Sequence, residues 1–523
     1  MINRKMNLYS RKIAHPIRII LMFFLGGLIC LLSACQSSQP SSLTLIFTND
    51  IHGVYKPYQI DYFGKSRLVG GMEALSHYIK NIRTKDKNVI LIDSGDIMTG
   101  TLASQKMHKG VYGGAMIEFL NILGYDLRCP GNHGFDLGIE NVISCFKLTD
   151  FPVIMANLIY KDTQELIAPS AYHIIDKGSL RVGFIAVMEE NFFEEVKREN
   201  TRNIELLPII PTLNKYISKI EPLTDIIVVL SHARFYTGEK IAREVPGINV
   251  VLVAAEDGKF NNINGVLVKS TYGHLRTFGY INLKLSQGTI RSYHEDLKWL
   301  WADGKIRPDP EVSELVRDVD SVISEEYGQK FGRALKDIVN KSDNTENPIG
   351  NWITDVLRWK TGAQIGLYNS RGIRNSLRSG WITGEDIFEV TPFYNELVMF
   401  CITGEQLKSA FEKDIERGRD RLQVSGLRYE YYPKETKPYG KRVWLLEVNG
   451  EKVVFQGKLI HPDKIFTAVS NDYVVSQAES KYIGCSLEDI ERTGLTLNEV
   501  LISWLKEFHA LDYSTENRIV KKE

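Results

Sequence analysis

Cysteine is scarce in this chain, with six in 523 residues and no C-x-x-C pair. Disulfides are permitted outside the cytoplasm, but spacing assigns no pairing among Cys129, Cys145, Cys401 and Cys485. Net charge is missing too, since 64 Lys+Arg face 64 Asp+Glu. That balance is uneven, because residues 1–34 hold Arg4, Lys5, Arg11, Lys12 and Arg18 and no acid, leaving 59 basic against 64 acidic residues in the remainder. A mildly acidic body has no general attraction for a polyanion, so a protein that coats nucleic acid is excluded and no nucleic-acid polymer is expected as a partner. Long apolar runs are absent apart from residues 19–32, a stretch too short to span a bilayer comfortably, which excludes a polytopic membrane protein. Internal repeats are absent, and the only low-complexity tract is the polar stretch 36–42. With 43% apolar and 24% charged residues, collagenous and disordered chains are excluded as well. At this length one hydrophobic core does not suffice, so two or more domains are expected.

The N-terminus is a targeting segment in which a cationic stretch and an apolar run lead to Leu32-Ser33-Ala34-Cys35. This resembles a bacterial lipoprotein signal, cut before a cysteine that is then acylated. The resemblance implies a signal peptide over 1–34, lipidation of Cys35, a polar tether over 35–42, and an extracytoplasmic protein attached to a membrane by its lipid. Gln36, rather than Asp, fits outer-membrane sorting in a Gram-negative cell. An ordinary signal peptide or anchor is the alternative.

From residue 43 to about 285, short β-branched runs alternate with helical segments. Strands are expected at 43–47, 89–92, 153–156, 182–187, 225–230, 249–253 and 266–269. This is the pattern of an α/β domain, with polar residues clustered past the C-terminal ends of strands, where open sheets present ligand crevices. Residues 311–331 carry apolar residues at helical spacing and read as an interdomain helix. The division is therefore 43–305, a linker over 306–334, and a second mixed α/β domain over 335–523.

Four strand-end motifs stand in order: Thr48-Asn49-Asp50-Ile51-His52-Gly53, Asp93-Ser94-Gly95-Asp96, Gly131-Asn132-His133-Gly134-Phe135-Asp136, and Ser231-His232. Singly they are weak. Together they collect two carboxylates, an amide oxygen and two imidazoles, a ligand set suited to Zn, Mn, Fe or Mg. A carboxylate placed centrally can bridge two cations, which would clamp a phosphoryl group.

The order, spacing and wording of these motifs resemble the calcineurin-like metallophosphoesterases, and specifically the two-domain family of 5'-nucleotidases and nucleotide-sugar hydrolases. The resemblance implies a sandwich of β-sheets flanked by helices, followed by a mixed α/β nucleotide-binding domain. It implies two divalent cations, Mn or Zn foremost. Asp50 and His52 would hold the first, Asp96 would bridge, and Asn132 and His232 would hold the second. His133, oriented by Asp136, would act at the phosphate without being a ligand. In the second half, Pro348-Ile349-Gly350-Asn351, Asn369-Ser370-Arg371-Gly372-Ile373-Arg374, Thr391-Pro392-Phe393 and Asn471-Asp472-Tyr473 resemble further motifs of the family. By that likeness Asn369 and Arg374 contact the phosphate or ribose side of the nucleotide, while Phe393 and Tyr473 stack on its base.

The pattern also breaks. Where the family carries G-G-H-x-H, this chain runs Val253-Ala254-Ala255-Glu256-Asp257-Gly258 and holds no histidine. Each cation thus loses an imidazole; Glu256 and Asp257 either replace them, shifting preference towards Mn, Mg or Ca, or form a solvated turn. Gly134 replaces the family's Glu, Arg371 replaces a glycine, and Ser342-Asp343 stands where an arginine often lies. The glycine-rich ribose loop becomes Ser476-Gln477-Ala478-Glu479, in which Glu479 is the candidate for ribose hydroxyls. The expected function is metal-dependent hydrolysis of a nucleotide or related phosphoester outside the cytoplasm. The alternative is a nucleotide-binding lipoprotein with a degenerate metal site and little turnover.

Overall fold

The structure, a computed structural model, describes residues 41–255, 257–286, 288–340 and 345–523. Cys35, the leader, most of the tether and Glu256 lie outside the described residues, as does Ser342-Asp343.

Two large sheets form the N-terminal domain. Their strands are β1 (Ser41–Thr48), β2 (Val89–Asp93), β3 (Leu127–Arg128), β4 (Tyr172–Lys177), β5 (Leu180–Met188), β6 (Ile226–His232), β7 (Val250–Val253), β8 (Phe260–Ile263), β9 (Val266–Ser270), β10 (Thr277–Ser286) and β11 (Thr289–Trp299). One sheet runs β11-β10-β1-β2-β3 and the other β8-β9-β7-β6-β5-β4. In the first, β1, β2 and β3 are parallel and β10 joins antiparallel; in the second, β5, β6, β7 and β9 are parallel. Parallel strands are covered on both faces, which is why β2 and β6 are nearly continuous apolar runs buried at every position.

The side-chain period of two divides each strand between two cores. Leu43, Leu45, Phe47, Ile90 and Ile92 meet Phe184, Ala186, Val228, Leu230 and Leu252 between the sheets. Their neighbours Ile46 and Leu91 point outwards and pack with residues of the helices Met72–Lys85 and Gly114–Leu123. Ile185, Val187, Val229 and Val251 pack with the helices Ile209–Ile220 and Phe235–Glu244 on the other side. The result is the expected α/β sandwich flanked by helices.

One expected strand is absent. Residues 153–156 make only isolated bridges, Val153 to Arg128 and Ile154 to Ser170. Their side chains are buried, their N–H groups from Ile154 to Ala156 donate to three different segments at Arg128, Ser170 and Ala186, and the next residue, Asn157, adds a side-chain link. Its amide donates to the Met188 carbonyl at 2.8 Å and accepts the Met188 N–H at 2.8 Å. Burial alone produced the apolar run, without a ladder.

The interdomain helix runs Pro310–Tyr327, opened by the Asp309 cap, whose carboxylate accepts the Glu311 N–H. It buries Val312, Leu315, Val319 and Ile323 in the same cluster as Phe388 of the C-terminal domain. It ends before residue 331 because Lys330–Ala334 pairs as a strand with Gly380–Thr383. The C-terminal domain is built on a five-stranded sheet in the order Leu422–Ser425, Ile365–Asn369, Ile465–Asn471, Glu396–Thr403 and Glu488–Thr496. The helix Pro348–Thr361 packs on it and fully buries Trp352. Among the described residues no helix is long and apolar enough to cross a membrane.

Candidate metal centre and substrate cavity

The C-terminal ends of β1, β2, β3 and β6 converge on one point between the sheets. Asp50 and His52 follow β1, Asp96 follows β2, Asn132 lies just past β3, and His232 is the last residue of β6. Asp50, His52, Asp96 and His232 are all buried. The first three adopt φ of 51°, 52° and 55°, a region L side chains seldom occupy, each at a cost of about 1–3 kcal/mol. The fold sustains that strain where the donors must turn inwards. Two glycines make room for them: a Cβ on Gly131 would sit 2.0 Å from Asp96 Oδ1, and one on Gly95 would sit 2.5 Å from His232 Nδ1.

Donor atoms of Asp50, Asp96 and His232 lie within 4.8 Å of one another, and so do those of His52, Asp96 and His133. Asp96 belongs to both groups, the position expected of a bridging carboxylate. Both candidate ligand imidazoles are oriented through the other ring nitrogen. His52 Nδ1 donates to the Thr99 carbonyl at 2.8 Å, and His232 Nδ1 to the Ser94 carbonyl at 3.1 Å. That arrangement fixes the tautomer and turns each Nε2 inwards, as metal-ligating histidines require. His232 Nε2 lies 3.1 Å from Asn132 Oδ1 and 3.2 Å from Asp96 Oδ2. Burial pushes the Asp96 carboxyl up, but the His232 and His133 imidazoles outweigh it and hold Asp96 well below the usual carboxylate range. Burial likewise opposes charge on His232, yet Asp96 raises it to about 9. Two carboxylates, two inward-turned imidazoles and an amide oxygen thus converge within one cage, so the residues present fit divalent metal.

His133 is built differently. Its Nδ1 faces a carboxylate, Asp136 Oδ2 at 2.7 Å, which also accepts from the Thr99 hydroxyl at 2.8 Å. Its backbone N–H donates to Asp96 Oδ1 at 2.9 Å. Burial lowers the His133 pKa, but Asp136 and Asp96 prevail and raise it above its ordinary value. From the other domain, Arg374 Nη2 approaches His133 Nε2 at 3.3 Å.

A cavity of about 940 Å³ extends from this centre between the domains. It is lined by Asn369, Arg374, Phe393 and Tyr473, all four named by the sequence. Phe393 lies under the Arg374 guanidinium at 5.4 Å and 6.3 Å from the His133 ring. The Tyr473 hydroxyl donates across the domain boundary to the Glu194 carbonyl at 2.8 Å and receives Lys481 Nζ at 3.0 Å. Lys197 and Asp472 form a further interdomain ion pair at 2.8 Å.

Two sequence-named residues lie elsewhere. Glu479 is exposed and is not among the cavity-lining residues, because the segment Ala478–Tyr482 winds as a helical turn that sends Lys481 inwards instead. Asp257 lines the rim, but its carboxylate accepts from the Ser270 hydroxyl at 2.5 Å and pairs with Lys259 at 2.8 Å, outside both donor groups. Sequence reading missed Thr99, which braces His52 and Asp136 together, as well as Lys197, Arg234, Arg419 and Lys481 on the cavity wall. These have no short motif, and only the meeting of distant loops makes them neighbours.

Comparison with known proteins agrees with this geometry. Residues 43–266 match the family described as calcineurin-like phosphoesterase, and residues 330–482 match the 5'-nucleotidase C-terminal domain. The chain is 26% identical over 511 residues to endonuclease YhcR of Bacillus subtilis, covering 91% of this chain but only 41% of that protein's length. It is 26% identical over 500 residues to the 5'-nucleotidase of Bos taurus, covering 84% of each. The crystal structure of a 5'-nucleotidase precursor from Thermus thermophilus shares the fold, with a TM-score of 0.80 at 24% identity over 92% of this chain and 99% of that one. With both halves matched in order, and the donor residues of the first facing the cavity wall of the second, this chain belongs to the two-domain 5'-nucleotidase family of metallophosphoesterase hydrolases.

Proposed function

We propose that this protein hydrolyses the phosphoester of a nucleotide, with the phosphate at the donor cage and the base in the C-terminal half of the cavity. The observation that carries the reading is the approach of Arg374 Nη2 to His133 Nε2 at 3.3 Å across the domain boundary. An N–H of Arg374 and Nε2 of His133 thus point at one place from the two domains, where a phosphoryl oxygen can be held from both sides. Asp50, His52, Asp96, Asn132 and His232 would hold cations, which would supply Lewis acidity towards phosphoryl oxygens. As a water oxygen bonds to phosphorus and releases a proton to solvent, the bond from phosphorus to the leaving oxygen breaks, and His133, oriented by Asp136, gives that oxygen a proton. Arg374 orients the phosphate, and Asn369 faces the ribose side.

Phe393 and Tyr473 line the cavity without a ring contact between them, which favours a base lying between the two rings. Aromatic stacking contributes about 1–3 kcal/mol per base in single-strand binders. Adenosine monophosphate should therefore have a lower KM than ribose 5-phosphate, and Phe393→Ala/Tyr473→Ala should remove that preference. Equal KM for both substrates in the wild type would exclude a base sandwich.

The proposal extends to location. Leu32-Ser33-Ala34-Cys35 behind a cationic, apolar leader supports lipidation of Cys35 and attachment to a bacterial membrane. Cys35→Ala should release the protein into the soluble fraction. Membrane association of that variant at the wild-type level would contradict the anchor.

A further inference from the structure

The chain lacks the two histidines expected after β7, so the cation that Asp50, His52 and Asp96 would hold is one imidazole short of the expected set. Another imidazole stands beside it on a loop that no motif marked. After β9 the chain passes through Thr271, Tyr272 and Gly273 to His274, whose N–H donates to the Asp50 carbonyl at 2.7 Å. A second link joins the same two loops, because the Thr271 hydroxyl donates to Asn49 Oδ1 at 2.7 Å. The Tyr58 hydroxyl donates to the His274 carbonyl at 3.0 Å, pinning the loop from outside. His274 and Leu275 both take left-handed backbone conformations, with φ of 57° and 51°, which bulky L residues keep only when their surroundings enforce it.

The His274 ring centroid lies 5.0 Å from that of His52, with the rings tilted by 33°. A cation about 2.1 Å from an imidazole nitrogen is roughly 3.2 Å from the ring centroid, so two imidazoles sharing it at 90–110° stand roughly 4.5–5.3 Å apart. The His52–His274 spacing falls inside that interval. His133 is at a similar 5.2 Å from His52, but Asp136 and Arg374 already engage its two nitrogens. The His274 nitrogens are outside the two compact donor groups. A turn of this partly exposed ring about Cβ–Cγ redirects them and leaves the centroid nearly in place. We propose that His274 supplies the missing imidazole and completes the coordination of the cation at Asp50, His52 and Asp96. This rests on the reading of the centre as a two-cation site.

The test is titration of the metal-stripped full-length protein with Co²⁺, followed by calorimetry and visible absorption, for wild type and His274→Ala. The variant should bind one of two cations about 10-fold or more weakly, with an altered absorption band, and the other normally. Melting of both stripped proteins checks that the fold is intact. A second measurement needs no variant: in the wild type, saturating Co²⁺ should protect His274 from diethyl pyrocarbonate, read by peptide mass. Wild-type affinities and spectrum in His274→Ala, or unprotected His274 at saturation, would overturn the inference. A wild type that binds no Co²⁺ would overturn the two-cation reading itself.

Discussion

Asp96→Asn should leave a folded protein that retains neither cation tightly and turns over roughly 1,000-fold or more slowly than wild type. Asp96 is the one residue common to both donor groups, and it is buried among three imidazoles. Asparagine keeps the shape and can still accept the His133 N–H that Asp96 Oδ1 accepts at 2.9 Å. What it removes is the charge facing His232 at 3.2 Å, which leaves Asp50 as the only carboxylate in the two donor groups. Loss of a single preorganised stabiliser of transition-state charge costs about 100- to 1,000-fold, and a shared ligand should cost at least the upper figure. Metal content by mass spectrometry and kcat at saturating Mn²⁺ measure the two effects. Two retained cations with wild-type kcat would remove Asp96 from the bridging position.

His133→Ala should show the complementary pattern, with kcat reduced by about 100-fold or more and metal content unchanged. The imidazole is committed to Asp136 on one side and Arg374 on the other, so its loss leaves Asp50, His52, Asp96, Asn132 and His232 in place. A ligand would behave differently, because its removal lowers metal content first. The pair of variants thus separates holding the cations from acting at the phosphate. His133→Ala with wild-type turnover would exclude a role in the chemistry, and His133→Ala with one cation lost would make it a ligand.

The strand ends were legible in the sequence for a physical reason. A parallel strand buried on both faces is a continuous apolar run, so the first polar residues after it stand out and lie at the mouth of the sheet. Asp50, Asp96, Asn132 and His232 were found that way, and the structure gathers them at one point. Residues 153–156 show where the same reasoning fails, since a buried segment there bonds to Arg128, Ser170 and Ala186 on three different segments instead of forming a ladder with one. Glu479 shows another limit, because a helical turn rotated it out of the cavity and brought in Lys481. Thr99 and His274 were invisible for a third reason. Each serves the site through contacts with another loop: Thr99 with His52 and Asp136, and His274 with Asp50.

The central claim is that a donor set short of two histidines still makes a working phosphoesterase. The direct measurement is phosphate release from adenosine monophosphate by purified protein, before and after dialysis against a chelator and after re-addition of single cations. Sites with fewer imidazoles hold metal less tightly and favour harder ions. At least one cation should therefore leave on dialysis, release should stop, and Mn²⁺ should restore it more readily than Zn²⁺. Tight nucleotide binding with no phosphate released under any cation would contradict the account and leave a binding protein in its place.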